Sequence, residues 1–267
     1  MSAKSLQIGI LNLMHDKAAT QADFRQVLQN GLYPVELHFY YPIMHYLDRP
    51  VPTEVLKSAK PLDLKEVASL DAFIITGAPL DQLDFEQVTY LPELQELFRA
   101  LKQVPQRLYL CWGAMVALYD QYHIAKEVLP KKLFGVFPQK IIQSSPLLTG
   151  LPNGFWAPHA RYADSNRHQI ETDSQLTVKA VNQDGRLLLV QNQAGNETML
   201  FSHLEYQAGS LVAEYQREIM AHPKKHYRLP INQAGREFAW KHTQKVFFTN
   251  WLQQVVATIK NGGLIYG

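Results

Sequence analysis

The chain has one cysteine, Cys111, at the end of the strand-like run Arg107-Leu108-Tyr109-Leu110 and just before Trp112-Gly113-Ala114. A thiol at a sharp strand-to-helix turn is presented at the carboxyl edge of a sheet, where open α/β folds bind ligands. The first N–H groups of the following helix point at the same place, where they stabilise a thiolate or the oxyanion of acyl transfer. Gly113 lets the turn be tight. The competing reading is a small buried hydrophobe, which is what free cysteines commonly are.

A nucleophilic thiol needs a base, and the base needs a carboxylate that fixes its tautomer. His203-Leu204-Glu205 follows the strand-like segment Thr198-Met199-Leu200-Phe201-Ser202. Residues two apart on an extended chain point the same way, so His203 and Glu205 are expected in one pocket. The same pattern also arises as a solvated surface pair. Among the ten histidines, His159 in Ala157-Pro158-His159-Ala160-Arg161-Tyr162 is the second candidate for a pocket residue, whereas His38 and His168 read as surface or satisfied groups. No cluster of His, Asp and Cys has metal-ligand spacing, so no metal is expected.

Short apolar runs bounded by turn signals predict strands over Leu6 to Leu13, Val35 to Tyr40, Ala72 to Thr76, Arg107 to Cys111, Phe134 to Ile142, Leu187 to Gln191 and Thr198 to Ser202. Helices are predicted over Thr20 to Asn30 with Thr20 as N-cap, Leu91 to Lys102, Trp112 to Tyr122, Ala208 to Ala221 and Phe238 to Lys260. Such alternation implies an α/β fold with a doubly wound, mostly parallel sheet. The proline-rich stretch Tyr41 to Pro61 and the basic stretch His222 to Gly235 read as loops.

The length of 267 residues suits one domain spanning 1–267, with 46% hydrophobic and 19% charged residues as in a packed globular protein. A net charge of +2 from scattered Lys and Arg gives no reason to expect nucleic acid as a partner. One cysteine allows no intrachain disulfide, and no apolar run is long enough to span a membrane, so a cytoplasmic protein is expected.

The sequence resembles the homoserine O-acyltransferases, also called the homoserine transsuccinylase family. The motifs that carry the likeness are Ile10-Leu11-Asn12-Leu13-Met14, Ile74-Ile75-Thr76-Gly77-Ala78-Pro79, Leu110-Cys111-Trp112-Gly113, Ala157-Pro158-His159 with Arg161-Tyr162, His203-x-Glu205-Tyr206 and Phe248-Thr249-Asn250-Trp251-Leu252. The resemblance implies a class I glutamine amidotransferase-like (flavodoxin-like) fold and ping-pong transfer from an acyl-coenzyme A. Cys111 would be the nucleophile, His203 the base and Glu205 its orienter, with the N–H groups of Leu80 and Trp112 as the oxyanion hole. Lys132 matches an active-site lysine, and Arg217 matches an arginine that would hold an amino acid's carboxylate. Without the likeness, both would be taken for solvated charges.

In that family the residue after Gly-Ala-Pro-Leu lies in the acyl pocket. Here it is Asp81, whose bulk and charge favour acetyl over succinyl and point to acetyl-coenzyme A as a dissociable co-substrate. The sequence departs from the family on the acceptor side: Ala160 replaces a serine, Ser202 a glycine, Leu204 a proline and His15 a proline, the usual N-terminal arm is not seen, and Tyr41 to Pro61 replaces a longer, differently patterned loop. L-Serine is therefore an alternative acceptor to L-homoserine. Succinyl-coenzyme A as donor, a glutamine amidotransferase-like hydrolase and a silent binding protein on the same fold are the competing readings. The partners implied are small molecules, with a homodimer plausible from the family.

Overall fold

The computed structural model describes residues 4–227 and 238–263. Its strands are β1 (Leu6–Leu11), β2 (Val35–Tyr41), β3 (Lys60–Pro61), β4 (Ala72–Ile75), β5 (Gln106–Leu110), β6 (Lys126–Ile141), β7 (Trp156–Ser165), β8 (Leu176–Asn182), β9 (Leu187–Asn192) and β10 (Glu197–Leu200). They form one sheet in the order β3-β2-β1-β4-β5-β10-β9-β8-β6-β7. The helices are α1 (Lys17–Leu28), α2 (Thr53–Ser58), α3 (Leu64–Val67), α4 (Leu91–Leu101), α5 (Trp112–Tyr122), α6 (Arg167–Thr172), α7 (Ser210–Ala221) and α8 (Lys241–Gly263).

The half from β3 to β10 is parallel, as expected from the alternation. Its central strands are apolar without alternation because helices cover both faces. Ile10, Ile74 and Leu108 pack toward Phe24 of α1 and Phe248 and Trp251 of α8. Their neighbours Leu11, Ile75 and Tyr109 face the opposite way, toward Leu94 and Phe98 of α4 and Met115 of α5. The other half departs from the expectation. β9, β8, β6 and β7 join by antiparallel pairing, and β7 and β8 carry no strand in the sequence reading. Leu176-Thr177-Val178 does alternate inward and half-buried positions, a strand signal in plain view.

Several element ends also move. Helix α1 begins at Lys17, where Asp16 Oδ1 accepts from the Ala19 N–H at 2.9 Å, so Thr20 lies inside the helix rather than capping it. The stretch Tyr41 to Pro61 is not a plain loop; it holds α2 and the short strand β3, with Thr53 starting the helix directly after Pro52. The second expected loop, His222 to Gly235, lies outside the described residues from position 228 onward. No helix among the described residues is long and apolar enough to cross a membrane.

Candidate active site

Strand β5 ends at Leu110, and the next residue turns abruptly. Cys111 has φ 48° and ψ −112°, a left-handed conformation that a residue with a side chain holds only under constraint from its surroundings. The constraint is visible. The Cys111 N–H donates to the Leu200 carbonyl at 2.8 Å, and its carbonyl accepts from Ala114 and Met115 at 3.0 and 3.1 Å as α5 starts. Gly113 is where the helix passes closest to the neighbouring strand: a Cβ there would sit 2.7 Å from the Thr76 carbonyl and 2.9 Å from that of Ile75. Both are backbone atoms that cannot swing aside. Gly113→Ala is therefore expected to destabilise the fold by about 1–3 kcal/mol. A urea unfolding midpoint equal to that of the parent protein would contradict this account of the turn.

Parallel pairing then brings His203 to the thiol. Strand β10 lies beside β5 with Leu200 opposite Leu110, so the residues just beyond both strands emerge at the same edge. His203 leaves β10 not on extended chain but in a turn closed by the Tyr206 N–H on the His203 carbonyl at 3.1 Å. The two residues still meet, though only His203 of the pair lines the cavity. His203 Nδ1 and Glu205 Oε1 are 2.7 Å apart, and both residues are buried. The His203 ring also stacks on Tyr206, with centroids 4.4 Å apart. The His203 backbone N–H donates to the Pro158 carbonyl at 3.0 Å, which ties the turn to β7.

The thiol and the imidazole meet over Gly77. The position a Gly77 Cβ would take is 3.2 Å from His203 Cε1 and 3.3 Å from Cys111 Cβ, so a side chain there would crowd both residues. Cys111 and His203 influence each other through hydrogen bonding and charge. Burial pushes the Cys111 thiol up, with His203 pulling it back. Burial alone would lower His203, but the Glu205 carboxylate, and then Cys111, hold it well above the ordinary histidine value. An imidazole made more basic in this way is a better acceptor for a proton that a buried thiol gives up reluctantly.

Around the pair lies a cavity of about 490 Å³. Of the residues singled out in the sequence, Leu80, Asp81, Cys111, Lys132, Ala160, His203 and Arg217 line it. Trp112 follows Cys111 directly; its side chain is buried against Phe85 and Tyr90, leaving its backbone N–H at the turn. Lys132 is not a solvated charge. Its Nζ lies 2.6 Å from Glu214 Oε1 and 2.8 Å from Glu218 Oε1, and it sits 4.6 Å from the Phe134 ring centre. Burial would lower its pKa, but the two carboxylates win and raise it. Arg217 is on the exposed side of α7 at the cavity mouth. Asp81 is buried, and its Oδ2 accepts from the Tyr162 N–H at 2.8 Å. Burial raises its carboxyl, and that hydrogen bond opposes the rise.

His159 is a correction. It is wholly buried and does not line the cavity. Its Nδ1 accepts from Arg161 Nη1 at 2.5 Å, and burial followed by Arg161 drives its pKa well below the usual value. Arg161 also donates to the Phe201 and Leu187 carbonyls, each at 2.8 Å, and pairs with Asp164 at 3.1 Å. The His159–Arg161 pair is thus a brace beneath the strand that ends at the base. Sequence reasoning missed Tyr162, Tyr206, Glu214 and Glu218 as cavity residues. The spacing of Glu214, Arg217 and Glu218 on one helix face was the available signal. Among the described residues no group of three or more His, Cys, Asp and Glu is placed to hold a metal ion.

A half-parallel sheet with a cysteine at a strained turn, facing a His–Glu pair from the neighbouring strand, defines a class I glutamine amidotransferase-like α/β protein. The same fold occurs in a glutamine amidotransferase from Thermotoga maritima, with a TM-score of 0.63, 11% identity and coverage of 94% of this chain and 99% of that one. Another from Methylobacillus flagellatus gives 0.60 with 12% identity, covering 94% and 95%. At these identities the likeness is one of fold. Residues 1–261 match the family described as homoserine O-succinyltransferase, and the chain belongs to that family. It is 49% identical to a serine O-acetyltransferase of Lactobacillus acidophilus over 95% of this chain and 97% of that protein. A serine O-acetyltransferase of Lacticaseibacillus casei is 47% identical, covering 96% and 97%. A homoserine O-acetyltransferase of Bacteroides fragilis is 32% identical, covering 95% and 85%.

Proposed function

We propose that the protein transfers an acetyl group from acetyl-coenzyme A to the side-chain hydroxyl of L-serine, through a thioester on Cys111. The observation that carries the chemistry is the buried Cys111–His203–Glu205 constellation, whose thiol and imidazole line a cavity with Arg217 at its mouth. The choice of serine over homoserine is supported by the relatives, which are 49% and 47% identical where their names say serine and 32% where the name says homoserine.

In the first half-reaction His203 takes the thiol proton, and Cys111 Sγ attacks the acetyl carbonyl. The negative oxygen forms beside the N–H groups of Leu80 and Trp112. The bond from the carbonyl carbon to the coenzyme sulfur breaks, and the leaving thiolate takes the proton back from His203. In the second half-reaction the serine hydroxyl gives its proton to His203 and attacks the thioester carbon, and Cys111 Sγ leaves and is reprotonated. Arg217 suits the acceptor's carboxylate as a two-pronged donor. Lys132, held by Glu214 and Glu218, keeps a fixed positive charge in the wall.

Asp81 sets the acyl length by occupying space. Burial raises its carboxyl, and the Tyr162 N–H and the Lys132 charge oppose the rise. Asp81→Gly is expected to admit succinyl-coenzyme A, raising its kcat/KM relative to acetyl-coenzyme A by roughly tenfold or more, the range that a shape change in a pocket produces. Rates for both donors against L-serine and L-homoserine, in parent and variant, test the whole reading. Faster turnover of succinyl-coenzyme A, or of L-homoserine, by the parent protein would overturn the corresponding half of it.

A further inference from the structure

Helix α7 carries Arg217 to the cavity mouth, yet little apolar packing holds that helix down. Of its twelve residues only Leu211 is buried, whereas α4 buries five of eleven and α5 seven of eleven. A helix in a folded protein owes most of its stability to a packed face. What docks α7 is polar instead. Glu214 and Glu218, one turn apart on one face, both reach Lys132 Nζ, at 2.6 and 2.8 Å. Their second oxygens accept from the Tyr206 hydroxyl at 2.9 Å and the Tyr162 hydroxyl at 2.8 Å. Tyr215 adds one stack, its ring centre 6.4 Å from that of Phe134.

An irregularity in β6 puts Lys132 there. Val128 pairs with Ala163 and the next pair is Leu133 with Arg161, so five steps along β6 oppose two along β7. The surplus bulges out and re-aims the side chains it carries. The Lys132 side chain ends up 4% exposed, deeper than either carboxylate at 15% and 18%. Its Nζ lies 4.6 and 5.2 Å from the ring centres of Phe134 and Tyr162. A lysine so placed engages two of its three N–H bonds with Glu214 and Glu218. Two carboxylates offset its one charge, so little field remains for an oxyanion at Cys111.

We propose that Lys132 is a positioning residue: it clamps Glu214 and Glu218 against the β6 bulge and so holds Arg217, on the same helix face, where an acceptor carboxylate meets it. The inference rests on the proposed transfer to serine and adds how the acceptor's anchor is held. Removing the ammonium leaves two carboxylates beside the cavity with no cation between them. Their repulsion is relieved by a shift of α7 away from the wall. Lys132 thus acts on the reaction through Arg217 and not on the reacting atoms.

Lys132→Met keeps a long apolar stem without the charge. Ethanolamine is serine without its carboxylate, so the ratio of kcat/KM for L-serine to that for ethanolamine reads the Arg217 contact. Arg217→Ala is expected to lower that ratio by roughly tenfold or more. Lys132→Met is expected to lower it by about as much, and the double variant no further. Glu218→Gln, which keeps the shape of α7 and one arm of the clamp, is expected to lose part of the ratio. A lysine that acted on the reacting atoms, or served stability alone, would slow both acceptors alike. A parent-like ratio in Lys132→Met (or in Glu218→Gln, should the first not fold), or losses that add in the double variant, would overturn the proposal. Hydrogen exchange on the full chain reads the clamp without turnover. The α7 amides of Lys132→Met are expected to exchange roughly tenfold faster than the parent's or more, while those of α5 keep their protection. Equal exchange in α7 would overturn the clamp. Faster exchange, with a parent protein that does not acetylate serine, would support the clamp and sink the proposed reaction instead.

Discussion

Cys111→Ala is expected to lower acyl transfer by about 10⁴-fold or more while leaving the fold intact, because the variant removes the atom that carries the acyl group in the proposed mechanism. Two readouts check it: the rate of acetylserine formation, and the mass of the intact protein after mixing with acetyl-coenzyme A alone. The parent should gain one acetyl group without acceptor present, and the variant none. The alternative is direct attack by the serine hydroxyl on the donor thioester, with His203 as base and Cys111 as a bystander. That route keeps the base and the oxyanion donors, so a loss of only a few-fold and no acetyl adduct in either protein would favour it. Folding does not confuse the result. Alanine keeps the Cβ, so the strained backbone at φ 48° is no worse off, and the deleted sulfur faces the cavity rather than closely packed hydrocarbon.

The clustering of Cys111, His203 and Glu205 was legible in the sequence because the three residues follow short apolar runs that can only be central strands. Arg107 to Leu110 and Thr198 to Leu200 are buried on both faces, so the residues after them must emerge at one sheet edge. The local conformation was less legible. His203 and Glu205 converge through a turn closed locally by Tyr206 and tied from β7 by Pro158, a long-range contact that leaves no mark in the sequence. His159 looked like a pocket residue because histidine is reactive. What fixes it in the interior is Arg161, two residues on, whose guanidinium spans to carbonyls of β9 and of the residue after β10. Without the family likeness Lys132 would have read as solvated, because its partners, Glu214 and Glu218, are more than eighty positions away. The antiparallel half was lost for a related reason: Pro158 interrupts the pattern of β7, yet it lies within that strand.

Glu205→Gln is expected to cost about 10³–10⁴ in kcat/KM, the scale seen when a triad carboxylate becomes an amide. The geometry says why. Glu205 Oε1 faces His203 Nδ1 at 2.7 Å, which keeps the Nδ1 proton in place and leaves Nε2 free to accept from the thiol. Glu205 Oε2 is buried without a hydrogen-bond partner among the described residues. A glutamine must either bury its NH2 at that unpartnered position or turn it toward Nδ1. The second choice forces the proton onto Nε2, where it faces Cys111 and blocks proton transfer. The pH dependence separates this from simple loss of packing. With Glu205 present the His203 pKa is raised, so the base becomes neutral, and active, only at higher pH. Removing the negative charge lowers that pKa, and the acid limb of kcat/KM should move to lower pH while the plateau falls. An acid limb that stays in place, or moves upward, would show that Glu205 is not the charge that holds the imidazole.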